Sequence, residues 1–263
     1  NNALELCRDL QRGQQSAAEV MAETYRRINL VNPQVNALVN VIEEEQAMRE
    51  AVRCDQTPIA QRGPLHGLPM APKDLIQVKG LATTMGFKPF ENNIAQEDDP
   101  LVARLRAAGA IFIGHSNTPE FGLGSHTFNK LFGKTLNPYD LTKTPGGSSG
   151  GAAVAFATEM LTLADGSDMG GSLRNPASFC NVVGLRPSMG RMPKNKGFGW
   201  LARLSTTGPM AKTVADLSLL FSILAGPDKA DPIGLPESGT TFLDGLVSLG
   251  NLTNLKIAYS PSL

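Results

Sequence analysis

The sequence has no excess of charge. Lysine and arginine number 24 and aspartate and glutamate 24 in 263 residues, so there is no electrostatic footprint for nucleic acid or an anionic membrane, while small neutral substrates stay open. Long apolar runs are missing too. The stretches 152–157 and 217–225, the second interrupted by serines, are too short to cross a bilayer. Glu5, Arg8 and Asp9 break up the first residues, so no signal peptide is read there. Cysteine is scarce and odd in number: Cys7, Cys54 and Cys180 lie far apart. That excludes a disulfide framework and zinc-type pairs, and points to reduced thiols in a cytoplasmic protein. Histidine is equally sparse, and His66, His115 and His126 are not spaced as metal ligands. No metal and no cofactor is expected. What is present is a hydrophobic content of 41%, enough to bury a sizeable core.

Helix and strand signals alternate along the chain. Ser16 with Glu19 forms a capping box before Val20, Met21, Tyr25 and Ile28, and the Asn32-Pro33 pair is expected to close that helix, making the first thirty residues helical. Residues 43–53 read as a second, more exposed helix. Asp99 before Pro100 caps a third, which runs through Leu101, Leu105 and Ala108 to Gly109 and precedes the buried strand 110–113. The same rhythm predicts helices at 151–160, 172–180 and 213–225 and strands at 161–164, 182–185 and 256–259. It argues for an α/β fold with a mostly or partly parallel central sheet. Residues 226–239, rich in Pro, Gly and Asp, read as a linker or a surface loop.

The stretch Thr144-Pro145-Gly146-Gly147-Ser148-Ser149-Gly150-Gly151 invites a functional reading. It is not a P-loop, because no lysine follows the glycines to reach a phosphate. Residues 146–150 match the G-x-S-x-G of a nucleophile elbow, but 142–145 make a poor strand and all three histidines precede the serine. A triad in the order serine, acid, histidine cannot be built here. A flexible loop before a helix remains the plain alternative. A second segment, Asp168-Met169-Gly170-Gly171-Ser172-Leu173-Arg174, places consecutive amides around a serine at a helix start. Glycines there allow close approach of a substrate to the main chain, and helix-terminal N–H groups stabilise a negative oxygen. An ordinary Gly-Gly turn with Ser172 as helix cap fits the same residues.

Without a downstream histidine, another base is needed. A desolvated lysine gives up its proton near neutral pH, and Lys73 ends the apolar, proline-rich run that starts at Pro64. No serine has a lysine three residues later, so the S-x-x-K arrangement is absent. The alternative for Lys73 is an exposed ammonium paired with a carboxylate, which is how Lys79 beside Gly80 reads.

Together these segments resemble the amidase signature family. The likeness rests on Pro72-Lys73-Asp74, the hexapeptide 146–151, the run 165–186 with its Gly-Gly-Ser and Pro-Ala-Ser-Phe-Cys, and on 114–124, 132–138 and 205–209. It covers about residues 60–225. The resemblance implies that Ser172 is the nucleophile, that Ser148 relays its proton to Lys73 as the base, and that the amides of Met169, Gly170, Gly171 and Ser172 hold the oxyanion. It further implies a cis Gly147–Ser148 peptide bond, a supporting role for Ser149, and a carboxamide split into an acid and an amine or ammonia. Asp168 is expected to accept hydrogen bonds near the oxyanion site and Arg174 to anchor the helix that follows. Cys180 is expected to be a small core residue, and 122–125 to border the substrate.

The implied fold is α/β, a mixed, mostly parallel central sheet flanked by helices, in a single domain over 1–263 that lacks the family's C-terminal part. Family chains are nearly twice as long, so a truncated chain, a nicked protein with its remainder on a second chain, or a partial sequence are the three expectations. A small-molecule amide is the expected partner, with no nucleic acid and no membrane; a second chain supplying the C-terminal part and a homodimer both stay open. Two other functions stand beside the amidase. One is the glutaminase subunit of a tRNA-dependent amidotransferase, against which Asn117-Thr118-Pro119-Glu120 departs from that subunit's usual residues. The other is a noncatalytic binding or scaffold fragment.

Overall fold

Local capping sets the first two helices. Asn2 opens α1 (Ala3–Arg12) and Ser16 opens α2 (Ala17–Val35), each through a reciprocal box with the glutamate three residues on. The structure, a computed structural model, describes residues 2–194, 203–247, 256 and 258. Pro33 does not close α2 as expected. The helix runs on to Val35 and stops at Asn36 in a left-handed conformation. Proline sacrifices only its own N–H there, and the Asn32 side chain holds the exit by accepting from the amides of Ala37 and Leu38, both at 2.9 Å.

Beyond α2 come β1 (Leu38–Val39), α3 (Glu44–Asp55), β2 (Pro69–Met70) and α4 (Pro100–Ala107), the last capped by Asp99 with Pro100 in its first turn. Then follow β3 (Ile111–Phe112), β4 (His115–Ser116), β5 (Phe128–Asn129) and β6 (Gly133–Lys134). The second half carries α5 (Gly150–Ala157), β7 (Ala164–Asp168), α6 (Arg174–Phe179), β8 (Val183–Gly184), β9 (Thr206–Ala211), α7 (Val214–Leu224) and α8 (Thr240–Val247).

The α/β class is as expected, and parallel and antiparallel pairings both occur, each in sheets of its own. Among the described residues, parallel pairing is confined to β2 with β3 and to a bridge between Lys73 and Ser116. The pairs β1–β4 and β5–β6 and the sheet β7-β9-β8 are antiparallel. The strand expected at 161–164 lies at 164–168 instead. Leu161 and Leu163 are buried but not extended, whereas the polar Asp165, Ser167 and Asp168 make the ladder, because β9 offers a full partner register from Thr206 to Met210. The strand expected at 256–259 falls largely outside the described residues.

One contiguous hydrophobic cluster links α1, α2, α4, α5 and α7, from Cys7 and Leu10 through Leu105 and Val154 to Leu220 and Leu224. Helix α5 is its small-residue centre, buried from Gly150 to Phe156. A Cβ on Gly151 would lie 2.3 Å from the Asn117 nitrogen, so only glycine lets the helix press its backbone onto the chain leaving β4. The stretch 226–239 is a tethered surface loop: the Arg104 guanidinium donates to the carbonyls of Leu224, Gly226 and Pro227. Among the described residues no helix is long and apolar enough to cross a membrane.

Candidate active site

Lys73 follows β2 and is fully buried. Its neighbours tie the backbone to β4 on both sides: Ser116 N–H donates to Pro72 O at 3.0 Å and Asp74 N–H to Ser116 O at 3.1 Å. Nζ reaches three hydroxyls, Ser148 Oγ at 2.7 Å, Ser149 Oγ at 3.0 Å and Ser167 Oγ at 3.0 Å. An ammonium has three donors, and each finds an oxygen. A neutral amine has two donors and a lone pair, so deprotonation lets one hydroxyl donate back. Burial pushes the ammonium down to about 7, against charges on Asp165 and Asp168 that hold it up. A group poised there can take and return a proton near neutrality.

The three hydroxyls are not equivalent. Ser149 occupies the N-cap position of α5 but does not cap it. Its oxygen accepts from Lys73 Nζ and from Ser167 N–H at 3.2 Å, and it donates to Ser167 O at 3.3 Å. Its donor and both acceptor sites are committed. Ser148 makes only the bond to Lys73 among the described residues, so its own proton remains to be given away. The Gly147–Ser148 peptide bond is cis. The loop at 122 borders this hydroxyl, since a Cβ on Gly122 would lie 3.7 Å from Ser148 Oγ.

Ser172 lies in the bend after β7, half-buried. The bend is wrapped around Asp168, which accepts from Gly171 N–H at 2.7 Å, Leu173 N–H at 3.1 Å, and Arg174 Nε and Nη2 at 3.0 and 3.1 Å. Arg186 adds an ion pair at 3.4 Å. Burial works to raise the Asp168 carboxyl, but the Arg174 hydrogen bonds and the two amides outweigh it and hold the carboxyl low. One expectation needs correcting. The Gly171 amide is not open to an oxyanion, because it is bonded to Asp168, the acceptor at the centre of the bend. The amides of Met169, Gly170 and Ser172 have no acceptor among the described residues and remain available to a ligand. No hydrogen bond joins Ser148 Oγ to Ser172 Oγ among the described residues; the contacts made are those of Lys73 with residues 148, 149 and 167.

Two residues of the site escaped the sequence reading. Ser167 binds the Lys73 ammonium, and Asp165, fully buried, accepts from the Lys73 main-chain N–H at 3.3 Å. They are two apart on β7 and so share a face. Placing the strand on 164–168 rather than 161–164 would have exposed that pairing.

The remaining candidates stand apart from this cluster. Cys180 is buried with Sγ 3.7 Å from Pro145 O, and burial pushes its thiol up to about 12. His115 is buried against Pro72 O at 3.0 Å, and desolvation lowers its pKa. His126 is exposed and meets Thr144 Oγ1.

This arrangement can be set beside known proteins. The family model described as Amidase matches residues 19–263. An acylamidase of Rhodococcus erythropolis is 40% identical over 264 residues, covering 100% of this chain and 55% of that protein. A glutamyl-tRNA(Gln) amidotransferase subunit of Desulfatibacillum aliphaticivorans is 43% identical over 218 residues, covering 82% and 44%. The native peptide amidase of Stenotrophomonas maltophilia superposes with a TM-score of 0.80 at 31% identity, covering 89% of this chain and 49% of that one. The chain thus spans about half the length of the relatives it matches. With the family model spanning nearly all of the sequence, and the fold shared with a solved amidase, the chain belongs to the amidase family, the amidase signature enzymes.

Proposed function

We propose that this chain carries the nucleophile and the proton-handling groups of a serine amidase that hydrolyses a linear carboxamide. Ser172 Oγ attacks the carbonyl carbon; its proton passes to Ser148, whose own proton passes to Lys73 Nζ. The carbonyl oxygen takes up negative charge against the amides of Met169, Gly170 and Ser172. The carbon–nitrogen bond then breaks, and the proton held on Lys73 returns through Ser148 to the departing nitrogen. Water, deprotonated along the same path, attacks the Ser172 ester; the carbon–Oγ bond breaks, the proton returns from Lys73 through Ser148 to Ser172 Oγ, and the carboxylic acid is freed. Ser149 supports the relay by fixing the Ser167 peptide, and Arg174 keeps the nucleophile bend in shape through Asp168.

The observation that carries this reading is the buried Lys73 Nζ lying 2.7 Å from a hydroxyl with a proton to spare. Ser148 and Ser172 are not hydrogen-bonded in the free protein, and such contacts commonly tighten only when substrate binds. The free thiols Cys7, Cys54 and Cys180 support the reducing, cytoplasmic location. A fluorophosphonate probe followed by peptide mapping tests the proposal. Labelling at Ser172 together with release of acid from simple amides is expected. A folded protein that takes no label and hydrolyses no amide would instead be the noncatalytic scaffold.

The amidotransferase relative at 43% identity favours a second reading, a glutaminase subunit that hands ammonia to a partner. Asn117 gives it no help: it is buried, and its side chain is committed to Thr135 Oγ1 and Asn129 Nδ2. Turnover of glutamine in preference to aliphatic and aryl amides would decide for the glutaminase.

A further inference from the structure

The mechanism above leaves one carboxylate of the cluster without a role. Asp165 is fully buried, forms no salt bridge among the described residues, and keeps Oδ1 without a hydrogen-bond partner. A buried ionisable group normally has its lone pairs satisfied, and the exceptions ask for a reason. Its other oxygen accepts the main-chain N–H of Lys73 at 3.3 Å. Two residues further on, the same face of β7 presents Ser167 Oγ to the Lys73 ammonium at 3.0 Å. One strand face therefore grips Lys73 at both ends, through backbone and side chain. Across the ladder Asp165 stands opposite Pro209, which has no N–H of its own.

The other charged groups around Lys73 are accounted for. Asp168, on β7, is matched by Arg174 and Arg186. Asp74, next in the chain, is occupied by the Thr84 amide and hydroxyl and by the Gly86 amide. His115, on β4, is turned to Pro72 O and burial favours its neutral form. Asp99, at the start of α4, acts on Asp165 by repulsion. Asp165 thus differs from its buried neighbours: Asp168 has two arginines and Asp74 three donors, whereas Asp165 accepts from the Lys73 main-chain N–H and keeps Oδ1 without a partner among the described residues.

We propose that Asp165 is a positioning residue for the base: it fixes the Lys73 main chain in the relay and supplies the negative charge that decides how firmly Lys73 keeps its proton. The inference rests on the reading of Lys73 as that base. Burial raises the Asp165 carboxyl to about 6, while the hydrogen bond from the Lys73 main-chain N–H and the charge of the Lys73 ammonium favour the carboxylate. Of the charges that hold the ammonium up against desolvation, Asp165 weighs most.

The test is Asp165→Asn in the full chain, which keeps an acceptor for the Lys73 N–H and removes the charge. NMR of protein carrying 13C-labelled lysine reads the Lys73 titration directly. Its midpoint is expected near 7 in the wild type and about one pH unit or more lower in the variant, with the acid limb of kcat/KM moving down with it. A folded variant whose Lys73 midpoint stays in place or rises overturns the proposal. Should the variant not fold, the wild type decides alone: the Asp165 carboxyl carbon is expected to titrate near 6 and to register a second step at the Lys73 midpoint. Titration in the ordinary carboxylate range with no second step overturns it equally. A protein that splits no amide, yet shows the lysine midpoint moving with Asp165→Asn, removes the amidase reading and leaves the Asp165–Lys73 coupling in place.

Discussion

Ser149 clasps the peptide of Ser167 from both sides, accepting from its N–H at 3.2 Å and donating to its C=O at 3.3 Å. This fastens the start of α5 to β7 and sets the distance between two of the three hydroxyls around Lys73. It also separates two adjacent serines that look alike in sequence, since the saturated Ser149 holds structure while Ser148 keeps a proton to move.

Ser148→Ala and Ser149→Ala should therefore part company. Loss of the Ser148 hydroxyl is expected to lower kcat by about 10²–10⁴-fold, the scale of a missing proton-transfer group. Loss of the Ser149 hydroxyl strands buried groups on Ser167 and is expected to cost about 1–3 kcal/mol of stability. Steady-state kinetics beside denaturant unfolding compares them; equal kinetic damage from both would contradict the division of roles.

Lys73→Ala and Ser172→Ala are each expected to abolish acyl-enzyme formation, one by removing the base and the other the attacking oxygen. Intact-protein mass spectrometry after incubation with an activated amide reads the acyl adduct. An adduct on Ser172 in the Lys73 variant at wild-type rate would remove lysine from the mechanism.

The pH profile follows from the sign of the Lys73 shift. Burial favours the neutral amine, and a base works only when neutral. With a value of about 7, kcat/KM should fall by about tenfold for each pH unit below that midpoint and level off above it. A flat profile from pH 5 to 8, with chemistry rate-limiting, would contradict a lysine base.

Gly171 has φ +123, a region that side chains rarely enter, and a Cβ there would meet Asn175 Nδ2 at 2.7 Å. Asn175 is exposed and can swing away, so the backbone term dominates. Gly171→Ala is expected to cost about 1–3 kcal/mol of stability and to slow labelling of Ser172, because the bend that presents the nucleophile must re-form. Thermal unfolding and probe-labelling rates check both parts.

What could be read from the sequence was whatever depends on near neighbours in the chain. Ser16 with Glu19, and Asp99 with Pro100, announce helix starts because cap and first turn lie within four residues. Lys73, Ser148 and Ser172 carry chemical types and local patterns that single them out. Asp165 and Ser167 did not stand out, because a polar strand inside a core contradicts the apolar pattern by which buried strands are found; the strand forms by pairing with β9, some forty residues away. Pro33 misled for a related reason. The Asn32 side chain takes over the exit from α2, and that exchange shows only once the turn is built. The engagement of the Gly171 amide by Asp168 was likewise hidden, since nothing in Asp-Met-Gly-Gly-Ser says which N–H turns inward.

The inward-facing carboxylate of Asp168 has one more implication. Because it draws two amides and a guanidinium around itself, the curve bearing Ser172 is held in shape by the chain's own bonds. An incoming carbonyl meets donors whose direction is already set, and its attraction to them can grow as the bond order falls instead of being consumed in shaping a loose loop.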